Sequence, residues 1–379
     1  MQSPTASADR TSLAPLRVPA PRPFAHRAAF LLNRNARAVS DRLVERLAAI
    51  VPAGDLFLSR SLDDATVFAR AIARRGYGQV FLGGGDGTLV TTMNLLRAHT
   101  AAEGLPMPTV GVLKLGTGNA MAKALGALDP LTDAWHVLQR GPAQTRDVDF
   151  VATDDGTLTP FAGMGYDGLV LNDYNWLKQQ ASGSPLTRAL AESVGGYLGA
   201  MLLRSVPREL RAPPTRLRIT STKPAWFLRP TDAGDVAEEL PAGSVLFEGN
   251  AATVCVGSIP YFGFGFTMFP FAMQRPGHVQ LRVVGAPIPS ILAHLYPKVW
   301  KGTWRHPKLL DFHVRDVAIE SDRPLPYEIG GDGRGCQTRL NFRTAEQPVA
   351  MSVLGERVVP AGHTVVQVGP ARMLVRLPR

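Results

Sequence analysis

The sequence VFLGGGDGT at Val80–Thr88 places a short apolar run directly before three glycines, an aspartate and a threonine. Glycine adopts positive φ and carries no β-carbon, so the backbone N–H groups of such a turn can converge on an anion. A helical pattern follows and adds the positive end of its dipole at the same place. The stretch therefore predicts a phosphate-binding turn between a strand and a helix, although glycines can also serve only to turn the chain tightly.

A second turn of the same kind lies at Val110–Asn119, where VGVLKLGTGN leads from an apolar strand into the helix-like run Ala120–Leu125. Because the carboxyl ends of parallel strands meet at one edge of a sheet, we expect both turns to face one cleft. Neither turn closes in the Gly-Lys-Ser/Thr of a P-loop, and neither carries the Gly-x-Gly-x-x-Gly dinucleotide pattern. The predicted phosphate site is therefore of another type.

The region around these turns alternates apolar runs of strand length with helical patterns, which is typical of a parallel sheet covered by helices. The strand-like runs of this region are Ala28–Leu32, Leu56–Leu58, Val80–Leu82 and Val110–Leu113. We predict an α/β fold in which 28–145 forms a parallel α/β nucleotide-binding domain and 146–379 forms a second, mainly antiparallel β domain. Residues 1–27, rich in Pro, Ala, Ser and Arg, are expected to be a disordered lead-in.

After residue 145 the alternation stops, and strand-like runs separated by turn residues dominate. These runs are Asp147–Thr153, Arg216–Thr220, Ala251–Gly257, Phe264–Phe269, Val279–Val284, Val314–Glu320 and Thr364–Val368. Two helical patterns interrupt them, one through Leu186, Leu190, Val194, Tyr197 and Met201, and one from Ile288 to Val299 with a kink expected at Pro297. The second domain is therefore predicted to be β-rich with helical insertions.

The length of the chain and its net charge limit which functions are expected. The chain of 379 residues can form two cores, because single cores usually stop growing at roughly 250–300 residues. Its 41 Lys and Arg against 31 Asp and Glu give a net charge of +10, which favours acidic partners such as nucleotides or anionic lipid. No zinc-finger, RNA-binding or zipper pattern accompanies this charge, so nucleic acid is not an expected partner.

Cysteine usage and the N-terminus point to a cytoplasmic protein. Cys255 and Cys336 are too few for a disulfide framework, and 1–27 lacks the apolar core of a signal peptide. The longest uncharged stretch, Gly249–Gln274, is interrupted by glycines and prolines and is better explained by strand pairs than by a membrane span. Any membrane contact is thus expected to be peripheral, at the inner face.

The pair GGGDGT (Gly83–Thr88) and LGTGN (Leu115–Asn119) resembles the diacylglycerol-kinase-like lipid kinases, a family that includes sphingosine kinases and is distantly related to NAD kinases and phosphofructokinases. Looser likenesses are FAGMGYD at Phe161–Asp167, YFGFG at Tyr261–Gly265, and Asp332 with the glycine after it. The resemblance implies an ATP-dependent lipid kinase that uses magnesium and has a β-rich lipid-binding domain. Its partner would be a lipid substrate at a membrane surface, and a homodimer is compatible with it.

By this resemblance, ATP is bound by the two glycine turns and by the asparagine that ends the first strand. The implied ATP-binding residues are Asn33, Gly83, Gly84, Gly85, Asp86, Gly87, Thr88, Gly116, Thr117, Gly118 and Asn119. Thr88 and Thr117 would offer hydroxyls to phosphate oxygens, although Thr88 and Asn119 could instead cap helices. Lys114 stands where the family commonly has proline, and it either reaches a phosphate or remains a solvated charge.

Asp86 is the first predicted catalytic residue and the predicted metal ligand. A carboxylate among glycines that face an anionic nucleotide is repelled unless a cation or a proton transfer compensates it. We therefore expect Asp86 to hold magnesium or the acceptor hydroxyl, with a turn aspartate bonded to its own backbone as the alternative.

Asp332 is the second predicted catalytic residue. It resembles the start of the family's Asp-Gly-acid turn, whose last carboxylate is thought to help activate the lipid hydroxyl, but Arg334 occupies that last position here. Arginine stays protonated and cannot act as a base, so Asp332 or Glu328 would have to take over. The alternatives are an ordinary hairpin turn, or a protein that binds nucleotide and lipid without efficient transfer. The resemblance also implies that Asp167 is an inter-domain hydrogen-bonding residue and not a catalytic one.

Two further interpretations stay open. The segment Lys298–Lys308 interleaves basic residues with Trp300 and Trp304, which suits either a contact at the level of lipid headgroups or a helix end whose tryptophans pack inward. Five phenylalanines are expected in the core, namely Phe262, Phe264, Phe266, Phe269 and Phe271. For the whole chain, the alternatives to a lipid kinase are an NAD kinase-like enzyme, which shares the first motif, and a regulatory protein that binds nucleotide or lipid.

Overall fold

The computed structural model describes residues 24, 26–140, 144–181, 194–231 and 234–354, and two strands at 363–368 and 371–376. Most of the predicted lead-in and the predicted helical positions Leu186 and Leu190 lie outside the described residues. Among the described helices, none is long and apolar enough to cross a bilayer.

The elements are numbered here in chain order. The strands are β1 (Ala28–Asn33), β2 (Leu56–Ser59), β3 (Gln79–Gly84), β4 (Thr109–Lys114), β5 (Gln144–Val148), β6 (Val151–Ala152), β7 (Leu158–Thr159), β8 (Phe161–Gly165), β9 (Arg216–Ser221), β10 (Ala225–Thr231), β11 (Gly234–Leu240), β12 (Val245–Asn250), β13 (Thr253–Gly257), β14 (Tyr261–Gly263), β15 (Phe266–Thr267), β16 (Val279–Val284), β17 (Leu309–Val314), β18 (Asp316–Ile329), β19 (Asp332–Thr344), β20 (Val349–Val353), β21 (His363–Val368) and β22 (Ala371–Arg376). The helices are α1 (Asp41–Ala48), α2 (Leu62–Arg75), α3 (Asp86–Ala102), α4 (Ala120–Ala124), α5 (Pro130–Arg140), α6 (Tyr166–Gln180), α7 (Val194–Ala200), α8 (Val206–Arg211) and α9 (Ile288–Ala293), with π-helical turns at Met201–Ser205 and Leu295–Val299.

The predicted fold class is confirmed. One sheet has six strands in the order β2-β1-β3-β4-β20-β5, and all its pairings are parallel except that between β20 and β5. A second sheet has twelve strands whose pairings are antiparallel. The continuous apolar runs of β1, β3 and β4 are buried, as expected of central parallel strands covered by helices.

Helices of the first layer begin and end where the sequence supplies caps. Ser40 and Ser61 accept hydrogen bonds from backbone N–H groups in the first turns of α1 and α2. Gly76 ends α2 in the left-handed conformation, with φ of 69°. These caps fix short connections, so each helix packs back on the sheet and leaves the carboxyl ends of the strands open.

The first sheet is completed from the far end of the chain. Strand β20 lies between β4 and β5, where Met351 pairs with Val110 and Val349 pairs with Val148. Met351 is fully buried. Residues 349–353 fall in the range predicted for the second domain, and in the structure they belong to the sheet of the first.

The two faces of the second sheet differ in character. One face carries a closed apolar core that includes Val254, Leu281 and Phe312. On the other face, cross-strand pairing aligns five positions in one row, and these are Glu328, Gly163, Cys255, Arg282 and Asp311. This row lies on the side of the sheet where α6 starts.

Helix α6 follows β8 through Gly165, whose φ is 111°; a β-carbon there would lie 2.4 Å from the carbonyl oxygen of Ala252. Buried Asp173 of α6 accepts hydrogen bonds from Arg204, Ser205 and Arg208. These bonds tie α6 to the π-helical turn at Met201–Ser205 and to α8. The helical insertion is therefore fixed over the sheet by a buried carboxylate.

Candidate active site

The two glycine turns meet backbone to backbone. A β-carbon on Gly116 would lie 2.4 Å from the Cα of Gly85 and 2.8 Å from the carbonyl oxygen of Gly84. A β-carbon on Gly83 would lie 2.2 Å from Cδ2 of Leu32. Glycine is needed at position 116 because no side chain fits between the turns, and at position 83 because the side chains of Leu32 and Leu115 fill the space beside it. Both turns lie at the carboxyl edge of the parallel sheet, as the strand pattern predicts.

The second turn is closed by Asn119, which adopts φ of 52° immediately before α4. Its Oδ1 accepts a hydrogen bond from the N–H of Gly116 at 2.9 Å, and its Nδ2 donates to the carbonyl oxygen of Gly116. The side chain of Asn119 thus shapes the turn from within. Thr117 and Gly118, by contrast, line the large cavity described below.

Asp86 joins the two turns. It is the first residue of α3, and its carboxylate accepts hydrogen bonds from the N–H groups of Ala120 at 3.2 Å and Met121 at 3.3 Å, which start α4. Burial raises the pKa of the Asp86 carboxyl, and these two hydrogen bonds act in the opposite direction. Asp86 therefore caps a second helix while it also lines the cavity.

The first strand contributes Asn33, whose Nδ2 donates to Oγ1 of Thr88 at 3.1 Å. Gly85, not Thr88, is the N-cap residue of α3. Of the predicted ATP-binding residues, Gly85, Asp86, Gly87, Thr117 and Gly118 line the cavity, and the others form the framework behind them. Lys114 is exposed at the end of β4.

Asp332 reaches this place from the second layer. The strands β18 and β19 are joined by a two-residue turn, Gly330 and Gly331, so Asp332 is the first residue after the turn and pairs with Ile329. A β-carbon on Gly87 would lie 3.5 Å from Oδ2 of Asp332. The carboxylate of Asp332 therefore lies beside Gly87, in the first turn of α3, and Gly87 directly follows Asp86 in the sequence.

Arg334 lies elsewhere. Between the pairs Glu328 with Gly333 and Pro326 with Cys336 the register shifts, so Arg334 falls in a β-bulge. Hydrogen bonds from Thr153 and Thr157 lower the pKa of Asp155, and the charge of Arg334 adds to this effect. Arg334 thus acts on the β6–β7 turn and is not among the described residues that line the cavity.

The cavity has a volume of about 700 Å³ and extends from the glycine turns into the second layer. Its polar end is formed by Gly85, Asp86, Thr117 and Asp332. Its remaining walls are mainly apolar and aromatic, and they include Tyr166, Val170, Leu171, Tyr174, Tyr197, Leu198, Met201, Phe262, Phe264, Phe266, Met268, Val284, Ile291, Leu295, Val299, Trp300, Trp304 and Leu309. This combination suits a ligand with a polar head and a long apolar part.

Of the five phenylalanines expected in the core, two are buried there and three line the cavity. Phe269 and Phe271 are buried, whereas Phe262, Phe264 and Phe266 are half-buried and line the cavity. The reason is that Tyr261–Thr267 forms the short hairpin β14–β15 beside α4, where the N–H of Phe264 donates to the carbonyl oxygen of Gly118 at 3.2 Å. The hairpin covers the cavity and is not enclosed by the sheets.

The basic and tryptophan-containing segment follows the inward-packed interpretation. Trp304 is 7% exposed and, like Trp300, lines the cavity, while Lys298 and Lys301 are exposed. The predicted kink at Pro297 lies at the π-helical turn Leu295–Val299, where Tyr296 leaves helical geometry. The tryptophans are therefore walls of the cavity.

A cluster of four polar side chains lies at the cavity wall. The sequence analysis named two of them, Asp167 and Glu328, and did not name Thr253 or the contact with Cys255. Asp167 accepts hydrogen bonds from Oγ1 of Thr253 at 2.6 Å and from Sγ of Cys255 at 3.4 Å. Glu328 is 1% exposed, and its Oε2 accepts a hydrogen bond from the N–H of Gly331 at 2.7 Å. Glu328 and Thr253 both line the cavity. The sequence named Glu328 as a possible base, but its position beside Asp167 depends on long-range strand pairing.

Comparison with known proteins gives two family matches. The family described as "Diacylglycerol kinase catalytic domain" matches residues 27–151, and the family described as "YegS C-terminal NAD kinase beta sandwich-like domain" matches residues 236–355. A relative named "Probable lipid kinase YegS" from Escherichia fergusonii is 23% identical over 292 residues, which span 76% of this chain and 81% of the relative. A relative named "Probable lipid kinase YegS-like" from Enterobacter sp. is 25% identical over 222 residues, 58% of this chain and 60% of the relative.

Among solved structures, the crystal structure of a diacylglycerol kinase from Bacillus anthracis superposes with a TM-score of 0.57 at 17% sequence identity. The superposition covers 86% of this chain and 97% of that structure. At this level of identity the likeness concerns the fold, and it extends over both sheets.

Proposed function

The chain belongs to the diacylglycerol kinase catalytic-domain family and is a kinase, a transferase with an alcohol group as acceptor, and from this premise we propose its substrates. The protein transfers the γ-phosphoryl group of ATP, with magnesium, to a hydroxyl group of a diacylglycerol-like or sphingoid lipid. The lipid is taken from a membrane surface, which the protein contacts peripherally.

One observation carries this proposal. The cavity of about 700 Å³ begins at the two glycine turns and continues between aromatic and aliphatic walls. A nucleotide triphosphate needs backbone donors and helix N-termini, whereas a lipid acceptor needs an apolar chamber. Both requirements are met in one continuous space, which supports a phosphoryl transfer from a nucleotide to a lipid.

The polar end has groups for each task of such a transfer. The N-terminus of α3 lies at the glycine turns, so its dipole and the backbone N–H groups of the turns favour the phosphates, while Asp86 takes the first N–H groups of α4. In this proposal Asp332, whose carboxylate lies beside Gly87, accepts the proton of the acceptor hydroxyl and orients that hydroxyl. The catalysis required is mainly positioning and charge stabilisation.

The residues present fit a magnesium ion. From the described residues, each carboxylate oxygen of Asp86 accepts one long hydrogen bond, at 3.2 and 3.3 Å, which leaves a lone pair on each oxygen for a cation. Magnesium in phosphoryl-transfer sites is commonly held by one or two carboxylates together with the phosphates of the substrate. Asp86 would hold the ion, which when bound neutralises charge on the phosphates.

The test is transfer from labelled ATP with magnesium to vesicles that contain diacylglycerol or sphingosine, and separately to NAD. The wild type is compared with Asp86→Asn, which keeps an oxygen for the N–H groups of α4. Asp63→Asn, at an exposed position in the first turn of α2, is the matched control. We expect Asp86→Asn to reduce transfer to lipid by about 100-fold or more and the control to leave it unchanged.

Labelled NAD in place of labelled lipid would overturn the acceptor. Equal transfer by Asp86→Asn and the wild type would remove Asp86 from the chemistry. Nucleotide binding without transfer to any acceptor would favour a regulatory protein over an enzyme, and this outcome is separated from misfolding by the melting temperature of the wild type.

A further inference from the structure

Glu328 and Asp167 lie side by side on the cavity wall. Glu328 pairs with Gly163 across β18 and β8, and Cys255 pairs with Gly163 on the other side. A β-carbon on Gly163 would lie 1.6 Å from Oδ2 of Asp167 and 3.0 Å from Sγ of Cys255. The carboxylate of Asp167 therefore fills the space that a side chain at position 163 would occupy, directly between Glu328 and Cys255.

The two carboxyl groups have different hydrogen-bond environments. Asp167 accepts from the hydroxyl of Thr253, the thiol of Cys255 and the N–H of Gly168. Among the described residues, Glu328 accepts a hydrogen bond only from the N–H of Gly331, on Oε2, and its buried Oε1 has no partner there. Burial raises the pKa of both carboxyl groups, but Asp167 accepts three hydrogen bonds that stabilise its anion and Glu328 accepts one from the described residues.

The charges around the pair act in the same direction. Burial and the negative charge of Asp167 raise the pKa of Glu328 well above its ordinary value, with Asp332 adding to the effect. Burial and the charges of Asp167 and Glu328 also raise the pKa of Cys255 of β13 and Tyr197 of α7, and the cations Arg37, Lys178 and Arg282 line other parts of the cavity. Arg282, further along the same row, forms a bidentate ion pair with Asp311 at 2.7 and 2.9 Å.

We propose that Glu328 determines the class of acceptor lipid: its carboxyl group donates a hydrogen bond from Oε1 to an uncharged oxygen of a glycerolipid, an ester carbonyl or a hydroxyl oxygen. This rests on the proposed lipid kinase function, which it narrows to neutral glycerolipids over cationic sphingoid bases. Because Oε2 is already occupied by an N–H donor, the carboxyl proton resides on Oε1, the atom without a protein partner. Glu328 lines the cavity, as do Gly330 and Asp332, so the donor stands near the acceptor end of the lipid.

A buried hydroxyl of the cavity wall extends the same argument. The hydroxyl oxygen of Tyr166, at the start of α6, is also buried, and no described residue forms a hydrogen bond with it. Burial raises the pKa of this phenol, so the hydroxyl remains protonated and can donate. Buried polar groups in folded proteins nearly always have partners, so two such donors on one apolar wall point to a ligand with acceptor oxygens.

The experiment compares Glu328→Gln and Glu328→Leu with the wild type, using dioleoylglycerol and sphingosine in nonionic detergent micelles as acceptors. Glu320→Gln is the matched control, since Glu320 is an exposed residue of the same strand that pairs with Arg339. The amide of glutamine can still donate, so we expect Glu328→Gln to retain kcat/KM for dioleoylglycerol within about threefold. Glu328→Leu is expected to lose roughly tenfold or more, through KM and not kcat, because the lipid oxygen is left unpaired.

Three outcomes overturn the inference. If sphingosine is the better acceptor and Glu328→Gln loses as much activity as Glu328→Leu, then an ionised Glu328 binds an ammonium group. If Glu328→Leu matches the wild type, Glu328 does not touch the lipid. If both variants lose kcat while KM is unchanged, Glu328 acts on the chemistry and not on lipid recognition.

Lipid binding is measured in parallel through the fluorescence of Trp300 and Trp304, which line the cavity. If the wild type binds dioleoylglycerol but transfers phosphate to no lipid, the proposed function fails while the order of affinities among the variants still tests Glu328. If Glu328→Leu does not fold, the infrared band of a protonated carboxyl group tests the inference instead. We expect the band to shift when dioleoylglycerol binds and to be missing in Glu328→Gln, and its absence from the wild type would overturn the inference.

Discussion

At the scale of single residues, two carboxylates from distant parts of the chain meet at the N-terminus of α3. Asp86 begins the helix and bonds to the start of α4, while Asp332 follows the Gly330–Gly331 turn and approaches Gly87. Arg334 occupies the place of the last acid in the resembled turn but falls in a β-bulge, whereas the carboxylate of Asp332 approaches Gly87. We therefore propose that Asp332, and not Arg334, acts on the acceptor hydroxyl.

The first prediction separates these two positions. Asp332→Asn is expected to lower phosphoryl transfer by about 100-fold, since the amide cannot accept the hydroxyl proton. Arg334→Ala is expected to stay within about threefold of the wild type, because Arg334 acts on the turn that contains Asp155. The measurement is kcat with a saturating lipid acceptor. The reverse order of effects would contradict the assignment.

A second residue-scale prediction concerns stability and pH. Burial and the charge of Asp167 raise the pKa of Glu328 well above its ordinary value of 4.5. Between these two values the folded chain holds a proton that the unfolded chain has released, so the free energy of unfolding falls as the pH rises. Glu328→Gln cannot ionise and should gain stability over the wild type as the pH increases.

Urea unfolding at about pH 5 and about pH 8 checks this prediction. The difference between Glu328→Gln and the wild type should be small at the lower pH and larger at the higher pH. Glu320→Gln, which removes an exposed carboxylate, should show no such trend. A constant difference at both pH values would mean that Glu328 is ionised in the folded protein.

At the scale of elements, the two glycine turns work as one unit. Gly116 packs against Gly85 and the carbonyl oxygen of Gly84, and the Asp86 carboxylate bridges from α3 to α4. The turns are thus held by contacts between backbones that leave no room for side chains. Their rigidity follows from this packing and not from the conformational freedom of glycine.

The third prediction tests this unit with Gly116→Ala. Its β-carbon would lie 2.4 Å from the Cα of Gly85, so the turns must separate. We expect a loss of about 2 kcal/mol or more in the free energy of unfolding, together with weaker ATP binding. Gly199→Ala is the control, because a β-carbon there meets no atom within 4 Å. Equal ATP affinity in Gly116→Ala and the wild type would contradict the proposed phosphate role.

At the scale of the whole molecule, the first sheet depends on a strand that follows the second sheet in sequence. After crossing the second sheet, the chain returns to insert β20 between β4 and β5. Met351 is fully buried there, and Val349 and Leu354 are nearly so. The first sheet is therefore incomplete without residues that follow the second sheet in sequence.

The fourth prediction compares a chain that ends after Leu354 with one that ends after Pro348. The two differ by one strand, whose loss exposes the edge of β4 and removes the buried Met351. Loss of one such side chain costs about 2–5 kcal/mol, against a total stability of roughly 5–15 kcal/mol. We expect the longer chain to unfold cooperatively in a thermal scan and the shorter one to lack a transition. A cooperative transition in both would show that the first layer is stable without β20.

The sequence alone determined the features that depend on local order along the chain. Glycines between an apolar run and a helical pattern predict turns at strand ends, and the alternation of such units predicts a parallel sheet, because backbone geometry fixes both within a few residues. The paired motifs also led to the family. The predicted ATP site, with Asp86 and Asp332, remains a proposal that the geometry supports.

Only the tertiary structure decided which distant residues are neighbours. The membership of β20 in the first sheet, the placement of Asp332 beside Gly87 and the contact of Glu328 with Asp167 all depend on long-range strand pairing. The cavity likewise arises from elements that are far apart in sequence. For this reason Phe262, Phe264 and Phe266, which the sequence analysis expects in the core, line the cavity. Strand register and packing set these contacts, and neither is encoded in the periodicity of a single segment.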